Sequence, residues 1–255
     1  MDFQSAFAHS EHKTFKNTFL DSSHIRMSYR DGAWSDATFL ERLTPYAKAA
    51  FQVDVTEFNK EKNLRFFAQG IDTEYLFCAD HAEVRVGRKM YTSFAETMQP
   101  HLTHLQRFVR DVLKEASVRN ISITKRNSWR IDMQDAQSDL SAPIKYILRE
   151  EYADELKREG EGKGKGEGVV QKQLMLQSPL QPAGGDLFIK LGFDYTQAPQ
   201  LQLTLRLQAR YNPKEGVSVD EMPAIAEGLN KVIFDAYVGI VTPQVIEIMD
   251  KEGER

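Results

Sequence analysis

Residues 201–211, LQLTLRLQARY, alternate apolar and polar side chains without interruption. Successive side chains of a β-strand point to opposite faces, so this pattern predicts a strand that buries one face. The apolar positions are Leu201, Leu203, Leu205, Leu207, Ala209 and Tyr211. The polar positions contain no acidic residue and two arginines, Arg206 and Arg210. The polar side of this strand is therefore the first candidate for a binding surface.

Two further segments show the same alternation, HIRMSYRDG at 24–32 and NISITKRNSWRIDM at 120–133. Their polar positions carry Arg26, Arg30, Arg126 and Arg130, and the shorter run AEVRVG adds Arg85. If these strands share one sheet, its polar face carries seven arginines and two acids, Glu83 and Asp132. Forked guanidinium donors suit phosphate or carboxylate groups. The alternative is that the arginine stems cover apolar surface while their charged ends pair with acids from loops.

The order of elements predicts an α+β fold in which amphipathic helices pack on one face of an antiparallel sheet. Short runs between 52 and 87 read as an antiparallel meander. Helical periodicity appears at about 36–51, 102–116, 142–159 and 219–241. We predict a single domain over 1–255, whose pattern allows two similar halves at 24–135 and 140–250. Each half is a meander followed by a long helix. GEGKGKGEG at 160–168 predicts a flexible linker or hairpin tip.

Charge and composition restrict the class of protein. The formal net charge is −4, so any binding of nucleic acid or anionic lipid would need a local patch. The N-terminus has no signal-peptide pattern and no stretch of about 18 apolar residues occurs, which predicts a cytoplasmic protein without a membrane span. The one cysteine, Cys78, lies among apolar residues and is predicted to be a buried thiol.

Motifs for catalysis or cofactor binding are not found. His101 and His104 are spaced to share a metal ion but have no evident third ligand, so neither a metal nor a cofactor is predicted. The glycine-rich segment matches no phosphate-binding loop, and no hydrolase motif occurs. No residue is therefore assigned a catalytic role, and a non-enzymatic protein is favoured.

The sequence thus predicts a binding or assembly protein that engages a macromolecular partner through Arg26, Arg30, Arg126, Arg130, Arg206 and Arg210. One alternative is an enzyme that acts on a phosphorylated or nucleotide substrate held by the same arginines. Another is a nucleic-acid-binding protein. The polar positions of these strands offer no aromatic side chain for stacking on bases, so an acidic protein partner is favoured over nucleic acid.

Three stretches together suggest a relationship: TKRNSWRIDM, LQLTLRLQARY and GLNKVIFDAYVGIVTPQVIEIM. In the order of its elements, roughly from residue 50 to 250, the chain resembles a sporadically distributed bacterial family of similar length with no established activity. Residues 1–23 and 160–168 look unlike that family, and its expected Arg-Tyr-Asn stretch reads Arg-Asn-Ser-Trp here. The resemblance supplies no site residue. It implies a bacterial cytoplasmic protein that acts within a gene cluster, for example in defence against phage or mobile DNA.

Overall fold

The strands β6 (Asn120–Asp132) and β9 (Gln200–Tyr211) form an antiparallel ladder that runs from Ile121 opposite Tyr211 to Asp132 opposite Gln200. They lie at the centre of the sheet in a computed structural model of the chain. The structure describes residues 19–29, 36–51, 64–67, 72–78, 80–132, 141–159, 169–180, 185–196 and 200–251.

The remaining elements have the following bounds. The other strands are β1 (Leu20–Ser28), β2 (Leu64–Phe67), β3 (Thr73–Phe77), β4 (His81–Gly87), β5 (Ser117–Val118), β7 (Val169–Leu180), β8 (Gly185–Thr196) and β10 (Val217–Ser218). The helices are α1 (Asp36–Phe51), α2 (Gln99–Phe108), α3 (Ser141–Ile147), α4 (Glu150–Glu159), α5 (Met222–Ile240) and α6 (Pro243–Asp250). A 3₁₀ turn at Arg88–Met90 and π-helical turns at Phe94–Met98 and Val109–Leu113 adjoin α2.

Within the described residues, eight strands form one sheet in the order β2-β3-β4-β1-β6-β9-β8-β7. Every neighbouring pair in this sheet is antiparallel. The meanders β2–β3–β4 and β7–β8–β9 therefore lie on either side of β1 and β6, while β5 and β10 pair separately. The predicted α+β fold with an antiparallel sheet is confirmed.

The helices pack against the apolar side of the sheet. Trp129 of β6 stacks on Tyr237 of α5, with ring centroids 6.5 Å apart. Phe77 of β3 meets Phe108 of α2 at 4.6 Å between centroids. These residues belong to one hydrophobic cluster that draws on both halves of the chain. Full burial of each large apolar side chain contributes about 1.5–3 kcal/mol, so this face holds the sheet and the helices together.

The helix predictions differ in outcome. The predicted helix at 36–51 is α1, which continues through Pro45. The single helix predicted at 142–159 is wrong, because the chain leaves the helix at Leu148, which forms a β-bridge with Val241. The backbone N–H of Arg149 then donates to the carbonyl of Ile240 at 2.9 Å. Long-range backbone pairing thus divides this segment into α3 and α4.

Two predicted features lie outside the described residues, the segment 160–168 and the strand QVDVTEF at 52–58. The helix predicted from about 219 begins at Met222, because the backbone N–H of Val219 donates to the carbonyl of Ala116 at 2.9 Å and residues 219–221 form a turn. No helix in the described part of the chain has the length and apolar character needed to cross a membrane.

Candidate binding face

The sheet order brings the arginine-bearing strands together, since β1, β6 and β9 lie side by side and β4 adjoins β1. Their polar positions, with those of β8, share the side of the sheet opposite the helices, which we call the open face. It carries Arg26, Arg85, Arg126, Arg130 and Arg206, which are exposed, and Arg210, which is half-buried. Five of the six arginines predicted as binding residues thus occur on one surface. The sixth, Arg30, lies outside the described residues.

Three exposed arginines at the β6–β9 ladder, Arg126, Arg130 and Arg206, form what we call the basic patch. Arg126 lies directly opposite Arg206, and the β-carbons of such cross-strand pairs are about 4.5–5.5 Å apart. Arg130 is further along β6, opposite Gln202. Lys190 of β8 occupies the register position next to Arg206. Cationic positions of three neighbouring strands are therefore adjacent.

The charges of the basic patch are weakly compensated. The Nε of Arg126 lies 3.7 Å from the Oδ2 of Asp21, which is too long for a hydrogen bond. Arg130 and Arg206 form no ion pair with any side chain that the structure describes. Opposed guanidinium groups that are at most weakly paired offer forked donors to a carboxylate or a phosphate.

Arg210, in contrast, is held by β8. Its Nη2 donates a hydrogen bond to the Oδ2 of Asp186 at 3.2 Å, and Asp186 is also its register partner. The guanidinium lies over the ring of Phe188, 5.1 Å from the centroid. The arginine-bearing strands themselves place no aromatic side chain at their polar positions, but β8 adds Phe188 to this face. The alternation of DLFIKLGFDY at 186–195 contained the signal, because Phe188 and Asp186 fall on its polar parity.

On the β1–β4 side of the open face, positively charged side chains also lie next to carboxylates. Arg26 lies opposite Glu83 in the strand register. The Nδ1 of His24 is 2.7 Å from the Oε1 of Glu83. Burial by itself would raise the pKa of Glu83, but the hydrogen bond with His24 and the nearby positive charges of His24, Arg26 and His81 lower it. This cluster behaves as a network of compensated charges.

The open face is less basic than the sequence analysis expected. The sequence analysis expected two acids on this face. In the structure, four carboxylates lie near its cations, those of Asp21, Glu74, Glu83 and Asp186. The closest compensation is at Arg210, whose acid lies at 3.2 Å, whereas Arg126 and Arg85 have acids at 3.7 Å and 4.0 Å. Among the described residues, Arg130 and Arg206 form no ion pair. Uncompensated positive charge is therefore concentrated in the basic patch.

Candidate metal ligands occur at the turn between β3 and β4. Cys78, Asp80 and His81 have ligand atoms within 4.8 Å of one another, and among the described residues they form the one group of this kind. Cys78 and His81 are three residues apart in the sequence, and the turn between the strands brings their ligand atoms together. His101, considered in the sequence analysis as a ligand, instead contacts the hydroxyl of Tyr75 through its Nδ1. Burial, with the nearby charge of His104, lowers the pKa of His101 to about 4.

No protein-family model matches this chain, and a search of curated proteins finds no match.

Proposed function

We propose that the protein is a non-enzymatic binding protein that engages an acidic protein partner through the basic patch. The observation that carries this proposal is the direct opposition of Arg126 and Arg206. Like charges directly opposite one another destabilise a sheet by a few tenths to about 1 kcal/mol. A carboxylate bound between the two guanidinium groups removes that repulsion, and Arg130 adds further donors at the same surface.

The surroundings of the basic patch support a protein partner over nucleic acid. Met175 of β7 is 67% exposed and its register partner is Lys190, so an apolar contact is available beside the cations. Arginine, methionine and aromatic side chains are enriched in protein interfaces. The ring of Phe188 lies beneath the guanidinium of Arg210, which limits stacking on a base.

The carboxylates of the open face support binding over catalysis. A general base at neutral pH needs a pKa near the working pH. The hydrogen bond with His24 and the adjacent cations instead lower the pKa of Glu83 against the effect of its burial. Glu83 therefore remains ionised and hydrogen-bonded, which is typical of a structural ion pair.

Within this proposal the protein acts in the bacterial cytoplasm as an assembly component. A role in defence against phage or mobile DNA is part of the same proposal. Its support is the resemblance in the order of elements described above.

The test compares two triple variants of equal charge. Arg126→Ser, Arg130→Ser and Arg206→Ser together remove the basic patch. Arg88→Ser, Arg107→Ser and Lys231→Ser together remove three exposed cations that lie outside the open face. Binding of a fluorescent poly-glutamate peptide and of a single-stranded DNA of equal charge is measured by anisotropy over a series of salt concentrations.

We expect the patch variant to lose at least about tenfold in affinity for the peptide, equivalent to about 1.4 kcal/mol, while the control variant stays near the wild type. Equal peptide binding by the patch variant and the wild type would show the proposal to be wrong. Tighter binding of the DNA, with an affinity that falls steeply with salt, would support the nucleic-acid alternative.

A further inference from the structure

The hairpin between β3 and β4 brings together three side chains of different chemistry. The strand pairing ends at Phe77 opposite Ala82, and the backbone N–H of Cys78 then donates to the carbonyl of His81 at 2.8 Å. Cys78 and His81 thus lie opposite one another at the end of the ladder, with Asp80 in the connection between them. A thiol, an imidazole and a carboxylate converge because this turn is tight.

The spacing of these groups is close to that of ligands around one metal ion. The Sγ of Cys78, a carboxylate oxygen of Asp80 and a ring nitrogen of His81 all lie within 4.8 Å of one another. Zinc binds sulfur at about 2.3 Å and nitrogen or oxygen at about 2.0–2.2 Å, so two ligand atoms of a tetrahedral site are about 3.3–3.7 Å apart. Binding of an ion therefore requires side-chain rotations that bring these atoms closer by up to about 1 Å.

We propose that Cys78, Asp80 and His81 bind a divalent transition-metal ion, with Zn²⁺ as the best match. A soft thiolate excludes Mg²⁺ and Ca²⁺ as preferred ions, because those cations select oxygen ligands. Sulfur, nitrogen and oxygen donors together are typical of zinc. Three protein ligands leave a fourth tetrahedral position for water or for a group of a partner molecule.

The exposure of the three ligands provides a route for the ion. The side chain of Asp80 is 76% exposed, that of His81 is 13% exposed, and Cys78 is buried. The Nδ1 of His81 and the Oδ1 of Asp80 lie 2.7 Å apart. The exposed carboxylate of Asp80 can therefore contact a cation from solvent before the ion reaches the buried thiol of Cys78.

A buried hydroxyl without a partner lies beside this group. Tyr29 is 4% exposed, and its hydroxyl has no hydrogen-bond partner within the described structure. Its backbone N–H donates to the carbonyl of Asp80 at 2.9 Å. A buried hydroxyl without a hydrogen-bond partner is thus available as a donor near the proposed ligands, and metal sites commonly use such outer-sphere groups.

The same three side chains could instead form a nucleophilic thiol activated by His81 and Asp80. The burial of Cys78 argues against this, because an electrophile must reach the sulfur. Metal binding requires only that an ion enter past the exposed Asp80. The thiol proton is released to the buffer when the thiolate–metal bond forms, so binding of one ion releases one proton.

The experiment uses the full chain after treatment with a chelator. Co²⁺ is added as a spectroscopic probe, and Zn²⁺ is then used to displace it. The variants are Cys78→Ser, Asp80→Asn and His81→Gln, with His24→Gln as a control on the neighbouring strand. Asp80→Asn changes a mostly exposed side chain, so this variant should fold even if Cys78→Ser does not.

We expect one Co²⁺ per chain, a thiolate-to-cobalt charge-transfer band in the near ultraviolet, and release of one proton. Each ligand variant should weaken binding at least about tenfold, while His24→Gln should bind as the wild type does. Zn²⁺ should also raise the melting temperature of the wild type more than that of Asp80→Asn. Absence of the charge-transfer band, equal metal binding by Asp80→Asn and the wild type, or rapid alkylation of Cys78 that added Zn²⁺ does not slow would overturn the proposal.

Discussion

Arg126 and Arg206 lie directly opposite each other across the β6–β9 ladder, and both side chains are exposed. Two guanidinium groups in this arrangement repel one another, and the Nε of Arg126 is 3.7 Å from its nearest acid, Asp21. Such a pair lowers the stability of the free protein. Its repulsion decreases when an anion binds between the two groups, which links the stability of the sheet to binding.

Arg206→Glu should therefore increase stability while reducing binding. The new carboxylate would face Arg126, and opposite charges in cross-strand positions stabilise a sheet by about 0.2–1 kcal/mol. We expect the free energy of unfolding in urea to rise by about 0.5–1 kcal/mol and the affinity for poly-glutamate to fall at least about tenfold. Arg88→Glu, at an exposed turn, is the control. A fall in stability for Arg206→Glu would contradict the proposed repulsion.

Asp186→Asn should strengthen the binding of an acidic ligand. Asp186 accepts a hydrogen bond from Arg210 at 3.2 Å and so competes with any carboxylate that approaches this guanidinium. Removing its charge should raise the affinity for poly-glutamate by about two- to fivefold, through a gain of about 0.5–1 kcal/mol. Glu247→Gln, an exposed residue on α6, should leave the affinity unchanged. Anisotropy titrations at low salt would detect the difference, and weaker binding would count against the role of the open face.

Trp129 and Arg130 are neighbours in the sequence but lie on opposite sides of β6. A substitution of Trp129 should therefore affect stability, and a substitution of Arg130 should affect binding. Trp129→Ala removes the stack on Tyr237 and leaves a cavity, which costs about 3–5 kcal/mol in the free energy of unfolding. Arg130→Ser changes an exposed side chain and should alter stability by less than about 0.5 kcal/mol, while it weakens peptide binding. Urea unfolding and anisotropy on both variants provide the measurement. Similar stability losses in the two variants would be inconsistent with the assigned faces.

The lowered pKa of Lys125 should make the free energy of unfolding depend on pH. Burial of its ammonium group lowers its pKa from 10.5 to about 8, although the Nζ lies 5.1 Å from the centroid of the Tyr91 ring. Between these two pKa values the unfolded chain binds more protons than the folded chain, so this residue makes stability rise with pH across that window. Lys125→Met should remove the rise and stabilise the protein at pH 7 by on the order of 1–2 kcal/mol.

The control for this prediction is Lys231→Met, which changes an exposed lysine on α5. Urea unfolding of the wild type and both variants at pH 7, 8, 9 and 10 tests the dependence. An unchanged pH profile for Lys125→Met would show that the lysine is not desolvated as described.

Much of the fold could be predicted because the strand signal is local. Leu205 and Arg206, like Trp129 and Arg130, alternate in the sequence and lie on opposite faces in the structure. The same rule applied to residues 186–195 would have identified Phe188 and Asp186 as residues of the open face. Both residues lie on β8, which contains no arginine.

Other features could not be predicted, because they depend on contacts between distant parts of the chain. The break between α3 and α4 follows from the bridge between Leu148 and Val241, which no local pattern in either segment indicates. The neutralisation of Arg210 likewise requires β8 to lie beside β9.

The sequence by itself determined which side chains of each strand face the helices, because alternation is a property of the extended backbone over every two residues. The tertiary structure alone decided which polar faces became neighbours. Strand order and register are selected by burial and hydrogen bonding summed over the whole sheet, and a shift of one residue would turn every side chain of a strand to the other face. That selection set Arg126 opposite Arg206 and supplied Arg210 with a carboxylate. The sequence predicted a basic face, and in the structure the positive charge of that face is concentrated in a small patch on β6 and β9.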